Sequence, residues 1–290
     1  MHVRRVVSLL LLAALGGCGP SGDPASAPST TSVTSAPSVP SIPSTPSVPP
    51  ASSPTPTPAA PSTPSVPAAS TAGDLAGRTV VVDPGHNGGN ATHPRVVNAP
   101  VPAGRGRTKP CNTTGSATDA GYQEHAFAWD VAVRVRDLLA ARGAEVILTR
   151  PDDDGVGPCV DRRAAIGNGP GVDAVVSIHA DGSGPRSRGF HVARSDPPLN
   201  AAQGAPALAL ATAVRDAMRG AGFPTADYIG SAGLDGRDDL AGLNLAERPA
   251  ILVECANLRN PGEAAAASTP DGRARYAAAI AVGVAQFLRS

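Results

Sequence analysis

Five short apolar runs, separated by stretches with helical periodicity, constrain the fold of this chain more than any other feature. The runs cover residues 79–82, 145–149, 174–178, 189–193 and 250–253. The helical patterns cover residues 123–142, 161–168, 205–221 and 273–288. Most runs are continuously apolar rather than alternating, which is typical of strands covered on both faces. Strands that alternate with helices predict a single α/β domain, with a twisted, mainly parallel β-sheet flanked by helices on both faces.

Residues 1–17 are typical of an export signal, because Arg4 and Arg5 precede an apolar run that ends in small residues. The apolar run is too short to span a bilayer comfortably. It ends in Leu-Gly-Gly-Cys, residues 15–18, which resembles the lipobox of bacterial lipoproteins. We therefore expect Cys18 to become a lipidated first residue, since two acyl chains anchor a protein stably. The alternative is an ordinary secretory signal that is cleaved nearby.

Residues 18–72 consist mainly of Ser, Thr, Pro, Ala and Val, with Asp23 as their only charge and no aromatic side chain. Such a segment cannot bury enough apolar surface to offset the entropy of ordering, so it predicts a disordered tether. The folded domain is then expected over residues 73–290, a size typical of one domain. The chain carries 24 basic and 24 acidic residues, a balance that argues against a nucleic-acid partner.

The three cysteines other than Cys18 lie in two kinds of sequence context. Cys111 and Cys159 each follow a proline in a predicted loop, and in an exported chain such a pair is expected to form a disulfide. Cys255 follows an apolar run and is expected to be a buried free thiol. The sequence alone leaves the other two pairings open. No Cys-x-x-Cys spacing supports a zinc site built from thiolates.

Four residues able to bind a metal or transfer protons lie at the ends of predicted strands. His86, His179 and Glu254 follow three of the apolar runs, and Glu124 begins the helix after the first run. Because ligands bind at the carboxyl edge of a parallel α/β sheet, we expect these four side chains to converge there. His86, Glu124 and His179 form the two-histidine, one-glutamate set that holds catalytic zinc with one position open to water. Glu254 is then the expected acid-base that moves a proton from water to the departing amine.

Each of these residues also has an interpretation without catalysis. A histidine in a glycine-rich loop, such as His86, is more often a plain loop residue than a ligand. His179 can simply cap a strand, and Glu124 is a favoured acid in the first turn of a helix. Glu254 is the hardest to explain in this way, because burying an ionised carboxylate without a partner is costly. The convergence of all four on one edge favours the catalytic interpretation.

The remaining internal histidines are assigned no role. His93 lies in a loop before a proline, and His125 points about 100° away around its helix from the glutamate that precedes it. His191 alternates with Phe190 and Val192 on a predicted strand, so it is expected to face the other side of the sheet.

Five motifs occur in an order that resembles the zinc-dependent N-acetylmuramoyl-L-alanine amidases of the Amidase_3 type. They are VVVDPGHNGG, GYQEHAFAWDVAVRVRDLLAARGAEVILTR, DRRAAIGN, VDAVVSIHAD and RPAILVECANLRNPGEA. The resemblance implies that His86, Glu124 and His179 bind Zn²⁺ at the carboxyl edge and that Glu254 is the catalytic acid-base. It also implies cleavage of the amide between N-acetylmuramic acid and the L-alanine of the peptidoglycan stem peptide. The long loop over residues 87–121 resembles that of actinobacterial members, and its length suggests a role in access to the site.

Other functions remain open at this stage. One is a zinc carboxypeptidase acting on peptidoglycan peptides, or a deacetylase acting on the sugar. Another is an inactive or regulatory amidase-like lipoprotein that binds the wall, although all four expected catalytic positions are occupied. We expect an exported monomer with peptidoglycan and its fragments as partners. Its lipid anchor would hold it on the outer face of the cytoplasmic membrane, in the periplasm or cell wall.

Overall fold

The computed structural model describes residues 73–290. The predicted export signal, Cys18 and the tether lie outside these residues. Within residues 73–290, no helix has both the length and the apolar character needed to cross a membrane.

The described residues form eight strands and seven α-helices, with one 3₁₀ turn at Asn90–Thr92. The strands are β1 (Thr79–Pro84), β2 (Pro100–Pro102), β3 (Thr108–Pro110), β4 (Glu145–Leu148), β5 (Val172–Asp181), β6 (His191–Ser195), β7 (Leu234–Arg237) and β8 (Ala250–Asn257). The helices are α1 (Pro94–Val97), α2 (Glu124–Ala140), α3 (Val160–Gly167), α4 (Ala205–Gly220), α5 (Ala241–Asn244), α6 (Pro261–Ala267) and α7 (Pro270–Leu288). All five predicted strands and all four predicted helices are confirmed. The additional elements are at most seven residues long, too short for a periodic pattern to reveal.

Six strands form one sheet in the order β4-β1-β5-β8-β6-β7. Within this sheet, β4, β1, β5 and β8 are parallel to one another. β6 runs antiparallel to β8, and β7 is parallel to β6. The prediction of a mainly parallel sheet is therefore confirmed, with a reversed pair at one edge. β2 and β3 form a separate antiparallel hairpin within the loop over residues 87–121.

Helices cover both faces of the sheet, as the apolar strands predicted. On one face, α2, α4 and α7 pack on the main hydrophobic core, which includes Val176 and Ile178 of β5. On the other face, α3 and α5 pack against β1, β5, β6 and β8, with a smaller cluster around Leu243 and Ala250. Because side chains alternate along a strand, Val175 and His179 of β5 lie on this second, less filled face.

Candidate active site and metal centre

The carboxyl edge of the sheet brings His86, Glu124 and His179 together. Oε1 of Glu124 lies 3.0 Å from Nε2 of His86 and 2.8 Å from Nδ1 of His179. The three candidate ligand atoms all lie within 4.8 Å of one another. His86 follows β1, His179 is near the end of β5, and Glu124 is the first residue of α2. Three elements distant in the sequence thus supply one compact donor set.

The ring of His86 is held in one orientation by its second nitrogen. Nδ1 lies 3.0 Å from the backbone carbonyl oxygen of Thr113, so its N–H donates there and leaves Nε2 facing Glu124. The backbone of His86 has φ of 56°, a left-handed conformation that is uncommon for residues other than glycine and that clusters at functional sites. A fixed second nitrogen is also what orients a histidine that binds a metal.

Glu124 is buried but remains a suitable anion. Oε2 accepts a hydrogen bond from the backbone N–H of Ser116 at 2.6 Å, and Oε1 accepts one from the N–H of Ala180 at 3.2 Å. Burial raises the pKa of Glu124, but the two neighbouring imidazoles outweigh this and hold the pKa well below its usual range. In turn, burial lowers the pKa of His86, and the Glu124 carboxylate more than compensates.

Two glycines make room for this donor set, and the sequence did not reveal them. A methyl group on Gly85 would lie 2.4 Å from Cε1 of His179. A methyl group on Gly115, where φ is +82°, would lie 2.9 Å from both Oε2 of Glu124 and Cδ2 of His86. Both contacts are closer than real side chains allow, so any larger residue would push a candidate ligand out of place.

Two buried arginines hold the loop that carries His86, and they too were missed from the sequence. Arg163 donates hydrogen bonds to the carbonyl oxygens of Pro84 and His86 and pairs with Asp83 at 2.8 Å. Arg150 donates to the carbonyl oxygens of Pro84 and Gly85. The two arginines in the motif DRRAAIGN were a visible signal, but arginines are rarely buried without a specific partner, and none could be named from the sequence.

Glu254 lies beside the donor set, directly opposite His179 in the pairing of β8 with β5. Its Oε2 is buried and has no hydrogen-bond partner among the described residues. Burial raises the pKa of Glu254 well above its usual range, and repulsion from Glu124 and Asp181 adds to this effect, while Arg237 opposes it. A carboxyl group with a raised pKa holds a proton well, which suits an acid-base group.

A cavity of about 560 Å³ joins these residues. His86, Glu124, His179 and Glu254 form one end of its lining. Its other walls come from the second face of the sheet, from α3, from the start of α5 and from the hairpin strand β3. The volume falls within the usual range for a small-molecule site, 300–1,000 Å³. The four sequence-predicted residues therefore share one pocket.

The loop over residues 87–121 builds part of this pocket. Thr113, Gly115 and Ser116 contact His86 or Glu124 and also line the cavity. Cys111 and Cys159 form the expected disulfide, which ties this loop to the residue before α3. Cys255 is buried and free, as expected.

The other histidines lie in three different settings. His93 is exposed, and Nδ1 of His125 lies 2.7 Å from Asp153, away from the donor set. The expectation for His191 was wrong: it is directly opposite Glu254 in the pairing of β6 with β8 and so lies on the same face of the sheet. The strand alternation was predicted correctly, but which face carried the site depended on the antiparallel register of β6.

Comparison with known proteins supports the resemblance seen in the motifs. The sequence matches the Amidase_3 family, described as N-acetylmuramoyl-L-alanine amidase, over residues 80–286. It is 47% identical over 219 residues to the N-acetylmuramoyl-L-alanine amidase Rv3717 of Mycobacterium tuberculosis, with 76% of this chain and 90% of that protein covered.

The fold is similar to solved amidase structures. The Ami1 amidase of Mycobacterium smegmatis has a TM-score of 0.72 and 50% identity, with 74% of this chain and 98% of that chain covered. Ami1 of Mycobacterium abscessus has a TM-score of 0.71 and 50% identity, with 74% and 100% covered. On the match over residues 80–286 and this similarity, the chain belongs to the Amidase_3 family of N-acetylmuramoyl-L-alanine amidases.

Proposed function

We propose that this chain is a zinc-dependent peptidoglycan amidase that cleaves the bond between N-acetylmuramic acid and the L-alanine of the stem peptide. The observation that carries the proposal is the convergence of Nε2 of His86, Oε1 of Glu124 and Nδ1 of His179 within 4.8 Å. The choice of bond rests on the family and on its relative, both N-acetylmuramoyl-L-alanine amidases.

The donor set fits a catalytic zinc ion. Two imidazole nitrogens and one carboxylate oxygen are typical zinc ligands, and three protein ligands leave a position for water or substrate. The N–H of His86 that donates to Thr113 and the N–H of Ala180 that donates to Glu124 are the outer contacts that such ligands usually have. A zinc ion bound there would lower the pKa of a water molecule to about 7 and polarise the scissile carbonyl.

In this mechanism the chain's own residues bind the substrate and move one proton. The amide to be cleaved enters the cavity beside Glu254, between the second face of the sheet and the loop over residues 87–121. Glu254 takes a proton from the attacking water on its carboxylate. It then delivers this proton to the nitrogen of the departing L-alanine, so the peptide leaves as a neutral amine. The raised pKa of Glu254 suits it to hold the proton between the two steps.

The test is digestion of purified peptidoglycan with the full-length protein, with and without a chelator. We expect release of intact peptides that begin with L-alanine, loss of this activity on chelation and its return with zinc. The mass of the product separates the alternatives: loss of a terminal amino acid indicates a carboxypeptidase, and loss of acetate indicates a deacetylase. Zinc-loaded protein that releases nothing would support the inactive, wall-binding alternative. Activity that survives complete removal of metal would contradict zinc dependence.

We further propose that Cys18 carries a lipid that anchors the enzyme to the outer face of the cytoplasmic membrane. The basic start, the apolar run and the sequence Leu-Gly-Gly-Cys support this location. In a bacterial host that processes lipoproteins, we expect the parent protein in the membrane fraction and the Cys18→Ser variant in the soluble exported fraction. Equal membrane retention of both proteins would contradict the anchor.

A further inference from the structure

Glu254 of β8 has a second histidine beside it, His191 of β6, on the side of the sheet order away from His179. The two residues are directly opposite each other in the antiparallel pairing of β6 with β8. Side chains at such positions lie on the same face, with their Cβ atoms about 4.5–5.5 Å apart. His191 is only 1% exposed, so it faces the interior beside the active-site pocket rather than solvent.

Each of these two residues has a buried polar atom without a partner. Nδ1 of His191 and Oε2 of Glu254 both lack a hydrogen bond among the described residues. Buried polar atoms in native proteins are nearly always paired, and an unpaired one costs about 1–3 kcal/mol. The two atoms belong to directly opposed residues, so one hydrogen bond between these side chains would satisfy both of them.

The other neighbours of His191 leave Nδ1 available. Asp235 approaches Nε2 only to 3.9 Å, which is beyond hydrogen-bond distance, and Arg237 lies 3.5 Å from the same carboxylate oxygen. The ring of Tyr228 packs edge-on at 6.1 Å, and its hydroxyl donates to Asp181 instead. Burial lowers the pKa of His191, so the ring is neutral at pH 7 and carries one N–H.

We propose that Nδ1–H of His191 donates a hydrogen bond to Oε2 of Glu254 and thereby fixes the direction of this carboxylate. With Oε2 held, Oε1 is the oxygen that faces the cavity and exchanges the proton. His191 is therefore a positioning residue that acts through Glu254, and this inference rests on the proposed function of Glu254.

The test compares two variants of the full-length, zinc-loaded protein, His191→Phe and His191→Asn. Phenylalanine keeps the ring and removes the donor, while the asparagine amide places a donor near the position of Nδ1. We expect His191→Phe to lower kcat about tenfold to hundredfold, the loss typical of a misdirected catalytic group, with KM and zinc content unchanged. His191→Asn should recover most of the lost rate. Phe190→Leu, on the opposite face of the same region, is the control for general disturbance and should match the parent.

Several outcomes would overturn the inference. Parent-like kcat in His191→Phe would mean that the hydrogen bond does not matter, and equal losses in both variants would mean that a donor is not what is needed. Loss of zinc in His191→Phe would point to a structural role instead. If the parent itself released no stem peptide, the proposed function would fail separately. The hydrogen bond would still be tested by ¹⁵N NMR, where a His191 ring protonated at Nε2 rather than Nδ1 contradicts it.

Discussion

Replacing Glu254 with glutamine is expected to abolish nearly all activity while leaving zinc binding intact. Glutamine has almost the same shape but cannot take a proton from water, and general acid-base groups contribute about 10²–10⁴-fold to rates. The variant should therefore lose about three orders of magnitude in kcat. The three candidate zinc ligands are untouched, so metal content should equal that of the parent.

The same variant is expected to be more stable than the parent in the metal-free state. The pKa of Glu254 is higher in the folded protein than in the unfolded chain, because burial and repulsion from Glu124 and Asp181 disfavour its charge. A group of this kind costs stability as the pH rises through its folded-state pKa, since the folded protein must then give up a proton that it holds more tightly. Glutamine removes this cost, so Tm at pH 8 should rise, a trade of stability for function that active sites commonly show.

Stem-peptide release, a metal assay and thermal unfolding measure these effects on one preparation. Glu145→Gln is the matched control, because Glu145 is exposed and begins β4 at the amino edge of the sheet, away from the site. We expect this control to keep the parent rate and Tm. A Glu254→Gln variant that retains a tenth of the parent rate would remove Glu254 from the mechanism, and a lowered Tm would contradict the account of its burial.

The second large effect is expected from Arg163→Leu. Arg163 pairs with Asp83 and donates to the carbonyl oxygens of Pro84 and His86, so leucine would remove the cation paired with a largely buried carboxylate and two donors to the backbone around His86. Breaking a buried ion pair on one side typically costs about 3–5 kcal/mol, a large part of the 5–15 kcal/mol that stabilises most domains. We expect this loss in the free energy of unfolding, together with weaker zinc binding as the His86 loop loosens.

The pH dependence of the free energy of unfolding tests the ion pair between Asp83 and Arg163. Burial raises the pKa of Asp83, but Arg163, Ser177 and Thr149 outweigh this and hold the pKa at about 2, below its usual range. Stabilisation by a carboxylate of this kind is fully present above the unfolded pKa and is lost as the pH falls through the folded one. The parent should therefore lose this contribution between about pH 4 and pH 2. Arg163→Leu should lack the part of it that Arg163 contributes already at neutral pH.

Urea denaturation at pH 7 and zinc titration check this prediction. Arg162→Leu is the control, because the neighbouring Arg162 is exposed on the same helix, and it should stay within about 0.5 kcal/mol of the parent. Arg163→Lys keeps the charge but not the forked set of donors, so it should lose an intermediate amount of stability. If Arg163→Leu unfolds at the same urea concentration as the parent, the network around the His86 loop is not what stabilises it.

The fold class and the convergence of His86, Glu124, His179 and Glu254 on one edge were predictable because their signals are local. An apolar run shows that a strand is buried, and a histidine or glutamate directly after it must lie at the carboxyl edge. His86, His179 and Glu254 could be placed in this way without knowing the order of the strands. The disulfide between Cys111 and Cys159 was likewise expected, because the chain is predicted to be exported and both cysteines lie in predicted loops. The structure contains this disulfide.

The supporting residues could not be found by the same reasoning. Gly85 matters only because His179, 94 positions later in the chain, packs against it, and Gly115 only because His86, 29 positions earlier, and Glu124 pack against it. Whether an arginine is buried, and which carbonyl groups it reaches, likewise depends on how a helix docks on the sheet. Such contacts form only when the chain folds, so the sequence around either residue does not reveal them.

The amino-acid sequence by itself determined which segments are strands and helices, and that two histidines and two glutamates end at one edge of a parallel sheet. Only the tertiary structure decided what surrounds them. The antiparallel register of β6 placed His191 opposite Glu254, although alternation along the strand was read correctly from the sequence. The physical reason is that alternation sets which residues share a face, while pairing between strands sets which face meets the site.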